Sequence, residues 1–330
     1  MEHRIYIKFT HFIELGCSGN FYVNIDKNYI KDFYVNGIKT GDVNFKLEEK
    51  RDYEVEILLN NDIKINDLFG YENLNEEEKR KSRHVSIYLS DIILENFSKV
   101  GEITEIKKNK LEKATLINIK ELKNTFQNCK NLKEVKIIGE TEKIGDYTFY
   151  NCTSLTSITL PSSITSIGQS AFDSCTSLSS IILPSSITSI GQSAFYNCYS
   201  LSSITLPNSI TSIGQNAFFQ CFSLSSITLP NSITSISQSA FANCYFSYLQ
   251  LPNSITSLPA SAFTGCCTYV DLTTHENPPT IASTNSLFYN SATKCPYYFI
   301  AKGTLEKYKN ATNWSTIYAN CPNKFVELDI

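Results

Sequence analysis

The sequence predicts an α/β-type repeat solenoid, mostly β, with an N-terminal β-sandwich-like module and a C-terminal cap. Three observations carry that expectation. Cysteine falls at positions 129, 152, 175, 198, 221 and 244, always 23 residues apart, and Cys266 follows after 22. Phenylalanine keeps the same spacing three residues earlier, from Phe126 and Phe149 to Phe241 and Phe263. Between them the apolar pattern L-x-x-I-x-L-P recurs, as in Leu201, Ile204, Leu206 and Pro207. A fixed period of this length means one small unit stacked many times.

The elements follow in order. Residues 1–62 alternate apolar and polar in short runs such as Arg4-Ile5-Tyr6-Ile7-Lys8-Phe9 and Tyr53-Glu54-Val55-Glu56-Ile57. Period-two runs imply half-buried strands, and this stretch is assigned to the β-sandwich-like module. The solenoid is placed at 63–273. Its entry, residues 63–128, is degenerate: Val85-Ser86-Ile87-Tyr88-Leu89-Ser90 echoes the later units, while Glu76 to Lys81 and the lysines around 107 to 113 interrupt them. Such charged runs suit solvated loops, and atypical end units are expected because one side of them faces water. Regular repeats occupy 129–273. From Asn277-Pro278-Pro279 the period stops, and 274–330 is assigned to the cap.

Each regular unit accounts for three sides of a coil. Leu201, Ile204 and Leu206 suit a short strand, which Pro207 ends because it lacks the N–H a continuing ladder needs. Ile210 and Ile213 turn a second apolar edge inward, and Ala217, Phe218 and Cys221 close the third side. Stacking at about 4.8 Å joins these slices into one core.

The pattern L-x-x-I-x-L-P-x-S-I-T-S-I-G-x-x-A-F-x-x-C resembles the BspA-like class of leucine-rich repeats, from about Phe126 to Leu272 and more loosely from Leu68. It departs from the general leucine-rich pattern where Ser209 stands in place of the ladder Asn, so Ser hydroxyls are expected to serve the coil backbone. The run Cys295-Pro296-Tyr297-Tyr298-Phe299-Ile300, with Thr304-Leu305 and Trp314, resembles the terminal cap of Bacteroidetes-type members. Thr304 is expected to N-cap a short helix that turns Leu305 and Tyr308 inward, and Trp314 to seal the last coil. The resemblance implies a non-enzymatic, adhesin-like binding protein, secreted or at the cell surface, that recognises host or bacterial surface proteins through its solenoid faces. Alternatives are a glycan-binding surface protein and an intracellular repeat scaffold.

Composition narrows the classes. Net charge is −3, so no nucleic-acid partner is expected. Asp173 is the only charged residue between Tyr147 and Val270. No apolar run approaches the ~20 residues needed to span a bilayer, so no membrane insertion is expected of this segment. The start, Met1 to Ile7, reads as a strand and not as a signal peptide, which leaves the chain either cytosolic or a mature segment whose export signal is missing.

Candidate chemistry is sparse. Seven cysteines in one column (Cys129, Cys152, Cys175, Cys198, Cys221, Cys244 and Cys266) cannot all pair, and each lies beside apolar residues, so they are expected to form a buried structural thiol ladder. Cys266-Cys267, Cys295 and Cys321 leave room for a disulfide near the cap. No C-x-x-C pair supports zinc, and His3, His11, His84 and His275 lack metal-ligand spacing. Gly16-Cys17-Ser18-Gly19 is no nucleophile elbow, and no phosphate-binding or catalytic motif appears. No cofactor, metal or catalytic residue is therefore expected.

Binding is better supported. Positions that vary between units lie outside the core, and aromatics gather there: Tyr196, Tyr199, Phe219, Phe222 and Tyr245. Residues three apart, such as Tyr196 and Tyr199, would share one side of a short helical turn and form a patch of the kind that marks interaction sites. The competing reading stacks them as a ladder that stiffens the edge. The strand face presents Glu134, Ser157, Ser180, Ser203, Ser226, Tyr248 and Tyr269 outward, beside Lys136, Thr159, Ile182, Thr205, Thr228, Gln250 and Asp271, a neutral surface with relief at its C-terminal end. Tyr248 and Tyr269 complete the candidate binding set.

Overall fold

The computed structural model describes residues 111–282 and 295–329, Phe288, and within the first 110 residues the segments 3–13, 19–21, 30–35, 37–40, 45–47, 52–59, 85–95, 97 and 99–100. Leu68, the charged run Glu76 to Lys81, His84, Cys17 and the lysines at 107, 108 and 110 lie outside the described residues. The chain divides into two compact units, Met1–Ser163 and Ile164–Ile330.

The first unit is built on an eight-stranded sheet. Strands β1 (His3–Ile13), β2 (Ile30–Val35), β3 (Ile38–Thr40) and β4 (Asp52–Leu59) come from the N-terminal stretch. Strands β5 (Val85–Glu95), β6 (Lys113–Ile117), β7 (Glu134–Ile138) and β8 (Ser157–Thr159) are the coil strands, mutually parallel. The order is β8-β7-β6-β5-β1-β4-β2-β3. Strand β1 therefore pairs antiparallel with β5 on one side and with β4 on the other. The N-terminal strands thus continue the coil sheet, and among the described residues only Gly19–Phe21 and Phe45–Leu47 form a separate antiparallel pair. A bare edge of β5 would offer unpaired N–H and C=O groups to any passing strand, and β1 covers it. Within the sheet, Ile92, Ala114 and Val135 fall in register and are buried, as are Leu94, Leu116 and Ile137.

The second unit holds the most regular coils. Strands β9 (Ser180–Ile182) and β10 (Ser203–Thr205) pair in parallel with Ile181 opposite Ile204, and both are buried. The second side is a row of two-residue strands, Ser189–Ile190, Ser212–Ile213 and Ser235–Ile236, again in 23-residue register. On the third side the N–H groups divide their work. Those of Ser193, Phe195 and Asn197 donate to the carbonyls of Gln215, Ala217 and Phe219 in the next coil, at 2.8, 2.7 and 2.9 Å. Those of Tyr196 and Cys198 close turns on Ser193 and Phe195 of their own coil. Buried backbone groups need such partners, and the stack supplies them without a helix.

That arrangement corrects the short helical turn expected at this corner. Ser193 and Asn197 have positive φ, 53° and 57°, and the corresponding pairs Asn216/Gln220 and Ser239/Asn243 repeat it. Left-handed residues break helical continuity, which the small or amide-bearing side chains found here tolerate best. Serine hydroxyls serve the backbone as expected: Ser186, Ser209 and Ser232 donate to the carbonyls of Ile164, Ile187 and Ile210.

Packing reinforces the stack. The phenyl rings of Phe172, Phe195, Phe218 and Phe241 are fully buried and nearly parallel, each 5.2 Å from the next. Phe263 and Phe288 extend the row at 5.5 Å steps. Gly214 lies where a Cβ would sit 2.6 Å from the carbonyl carbon of Gly191, so this column sets how closely backbones approach.

The cap ends the second unit. Strands β11 (Phe246–Gln250), β12 (Cys267–Asp271), β13 (Tyr297–Ala301) and β14 (Phe325–Leu328) form a parallel sheet in that order. Helices α1 (Leu305–Asn310) and α2 (Trp314–Asn320) lie between β13 and β14 in the chain. Trp314 is fully buried against Tyr298, Tyr308 and Phe325, and its Nε1 donates to the Pro279 carbonyl at 2.7 Å. Thr304 stands at the N-cap of α1, but its hydroxyl donates to the Ala301 carbonyl. The N-terminal N–H groups are met by Glu327 Oε1, which accepts from Gly303 and Leu305 at 2.8 and 3.1 Å. Tyr308 is buried and Leu305 only half-buried. A Cys295–Cys321 disulfide, Cα atoms 6.6 Å apart, ties the start of β13 to the end of α2.

Candidate interaction surfaces

The cysteine column is interior. Cys129, Cys152, Cys175, Cys198, Cys221, Cys244, Cys266 and Cys267 are buried thiols outside any disulfide. Each of four thiols also donates a hydrogen bond to the coil before: Cys152 to Phe126, Cys198 to Phe172, Cys221 to Phe195 and Cys244 to Phe218, at 3.0–3.2 Å from the carbonyl oxygens. Cys266 turns instead to the Phe263 carbonyl, with the Cys267 sulfur 3.0 Å away. Burial pushes the Cys152, Cys198, Cys221 and Cys266 thiols well above their ordinary pKa, so they stay protonated and unreactive.

At the corner the variable aromatics sort into two stacks. Tyr196 lies on Phe219, centroids 5.0 Å apart and 6° from parallel, both half-buried. Tyr199, Phe222 and Tyr245 form the second stack at 5.4 and 5.6 Å, and all three are exposed, Tyr245 most at 57%. Rings stacked face to face turn their edges to solvent, so each stack offers a hydrophobic ridge and free ring faces only at its ends. Asp173, at the equivalent position one coil before Tyr196, accepts from the Ser174 hydroxyl at 2.8 Å, and partial burial raises its pKa.

The strand face differs between the units. In the first, Lys113, Glu134 and Lys136 form a surface ion-pair cluster, with Ser157 and Thr159 following. In the second, Ser180, Ser203, Thr205 and Ser226 are exposed, and Ile182 stands out at 86%. Relief comes at the cap end. Tyr248 and Tyr269 are register partners on β11 and β12, exposed at 44% and 39%. Tyr269 stacks on Tyr297 and Phe299 of β13, at 5.6 and 5.7 Å. Tyr248 leans instead toward Asp271, donating its hydroxyl to Oδ2. Burial first, then this carboxylate, push the Tyr248 phenol up to about 12. Asp271 also accepts from Gln250 and from the Thr273 N–H and hydroxyl.

Asp271, expected on the outward strand face, is buried, and Tyr297 and Phe299 were not among the sequence-derived candidates. The signal available was the alternation in Tyr297-Tyr298-Phe299, where the central ring is buried and its neighbours are half-buried. Their place beside Tyr269 was hidden because β13 follows β12 outside the 23-residue beat.

His275, buried, places Nε2 3.2 Å from the Ile255 carbonyl and Nδ1 3.4 Å from the Thr274 hydroxyl. Burial lowers its pKa, so the ring is neutral at neutral pH. It borders a cleft of about 300 Å³ with Asn253, Thr256, Glu276 and the two prolines Pro278 and Pro279. No group of three or more His, Cys, Asp or Glu is placed to hold a metal among the described residues, nor is any described helix long and apolar enough to cross a membrane.

Stacked 23-residue coils with exposed corner and strand faces define a leucine-rich-repeat solenoid. The chain belongs to the BspA type leucine-rich repeat family, whose model matches residues 90–221 and 188–311. Solved structures are similar to this chain. A leucine-rich repeat protein from Bacteroides ovatus ATCC 8483 aligns over 65% of this chain and 67% of its own at 23% identity and a TM-score of 0.50. The T. pallidum leucine-rich repeat protein TpLRR aligns over 73% and 92% at 24% identity and a TM-score of 0.42. A leucine-rich cell surface protein from Faecalibacterium prausnitzii A2-165 aligns over 66% and 81% at 20% identity and 0.33. No curated protein matches the chain.

Proposed function

We propose that this chain is a non-enzymatic binding protein, displayed at the cell surface or secreted, that recognises protein partners through its solenoid faces. One observation carries the reading: on an almost uncharged stack, large aromatic side chains remain exposed in a contiguous row, Tyr199, Phe222 and Tyr245 at the corner. Core demands do not explain them, since the phenylalanine row already fills the interior of each coil. Exposed aromatic ridges are the residues that interfaces use most. Display outside the cytosol is supported by the Cys295–Cys321 disulfide, a bond that oxidising compartments keep and reducing ones remove.

The test is a binding screen against extracellular-matrix and bacterial surface proteins, with a glycan array alongside. Wild type is compared with a Tyr196/Tyr199/Phe219/Phe222 alanine variant of the whole chain. The reading expects protein ligands on wild type and a loss of at least tenfold in the variant. Partners held equally by both would remove the corner from the site, and glycans as the only ligands would replace the protein-binding reading.

A further inference from the structure

The cap end of the strand face combines three features that suit one kind of ligand. Asp271 is a buried carboxylate, 7% exposed, with no basic side chain within ion-pair distance among the described residues. Four uncharged donors surround it, from Tyr248, Gln250 and Thr273. His275, whose charge would oppose it, is kept neutral by burial. Beside this charge stand aromatic rings. Tyr269 has ring neighbours only on its β13 side among the described residues, because Tyr248, its register partner on β11, has swung to Asp271. The face already takes one ammonium group: Lys324 places Nζ 3.7 Å from the centroid of the Tyr297 ring. Cations are drawn to ring faces and to unneutralised carboxylates together, more strongly than to either alone.

Resting on the binding function proposed above, we infer that the face formed by Tyr248, Tyr269 and Asp271 docks a basic side chain, lysine or arginine, presented by a partner protein. A sugar fits the same face less well. Both carboxylate oxygens already accept two donors each, and the Tyr248 hydroxyl spends its proton on Asp271, so few groups remain to pair with sugar hydroxyls. A cation responds to the charge and the ring quadrupole without needing a vacant lone pair.

The test is a titration of the full chain, carrying isotope-labelled tyrosine, with acetyl-arginine methylamide and acetyl-lysine methylamide in physiological salt. Acetyl-norleucine methylamide serves as the uncharged control, and N-acetylglucosamine and galactose as the glycan arm. The expected result is millimolar binding of a charged probe that shifts the Tyr248 and Tyr269 ring signals, with the control and the sugars silent. Tyr269→Leu is expected to weaken it roughly three- to thirtyfold, and Asp271→Asn to weaken it as well. The two variants act on different parts of the face, and circular dichroism verifies that each is folded. Equal shifts from norleucine, shifts from sugars alone, silence from both cations, or unchanged affinity in both folded variants would each overturn the inference. If partners from the screen bind Tyr269→Leu normally but lose the corner variant, this docking site is wrong and the binding function stands.

Discussion

The Cys198 thiol donates to the main-chain carbonyl of Phe172, 3.1 Å away in the preceding coil, while the Cys175 N–H reaches the same oxygen from within that coil. One acceptor thus closes its own turn and clasps the next. The sulfur is therefore more than apolar filling.

Replacing it tests this. Cys198→Ala removes a fully buried sulfur and one inter-coil donor, but leaves the Phe172 carbonyl with its N–H partner. Loss of packing dominates, and a destabilisation of about 1–3 kcal/mol is expected. Urea unfolding of the variant beside wild type measures it; a change within error would mean that the column contributes nothing to coil stacking.

Gly214→Ala is expected to cost about 1–3 kcal/mol, by overpacking. The new methyl would lie 2.6 Å from the Gly191 carbonyl carbon and 2.7 Å from the Gln192 nitrogen, both main-chain atoms held by the stack. A flexible side chain would yield there and a backbone cannot. Thermal unfolding followed by circular dichroism reports the shift.

Asp173 gives a pH signature. Its folded pKa is raised by burial above the unfolded value, so the folded state favours the protonated form. Where both states are ionised, the folded state bears the full desolvation cost; as pH falls through the raised pKa toward the unfolded one, that cost is relieved. Asp173→Asn is therefore expected to raise Tm at pH 7, and its advantage over wild type should shrink on acidification. A difference that stays constant from pH 7 to 3 would contradict this.

The cap disulfide closes a 26-residue separation. A Cys295→Ser/Cys321→Ser variant is expected to lose about 2–4 kcal/mol. In thiol titration of the denatured, unreduced protein, Cys295 and Cys321 should appear only after reduction, whereas the eight buried thiols react at once.

How much was legible follows the period. Wherever Leu201, Ile204, Ile210, Phe218 and Cys221 repeat at 23 residues, the sequence located the core, the strand ends and the outward residues, because equivalent positions meet equivalent surroundings. The corner conformation was not legible: Asn197 suits a left-handed backbone, but Ser193 carries no such signal, and the neighbouring coils hold both there. The partner of β5 was equally hidden, since β1 and β5 lie far apart in sequence and share no motif. At the candidate site, Tyr248 and Tyr269 stood out as aromatics replacing serine. Tyr297 did not, because its significance comes from stacking across strands, and Asp271, outward in the sequence pattern, is buried where Tyr248 and Gln250 donate to it.

The bonds between the regular coils connect residues 22, 23, 24 or 26 apart, and that fixes which insertions the second unit tolerates. Adding or removing one whole coil returns every serine, thiol and glycine to an equivalent partner. Adding a single residue would put the thiol, ring and glycine columns out of step at once. Such a molecule can change length only in whole steps, and each step lengthens or shortens its exposed faces by one coil.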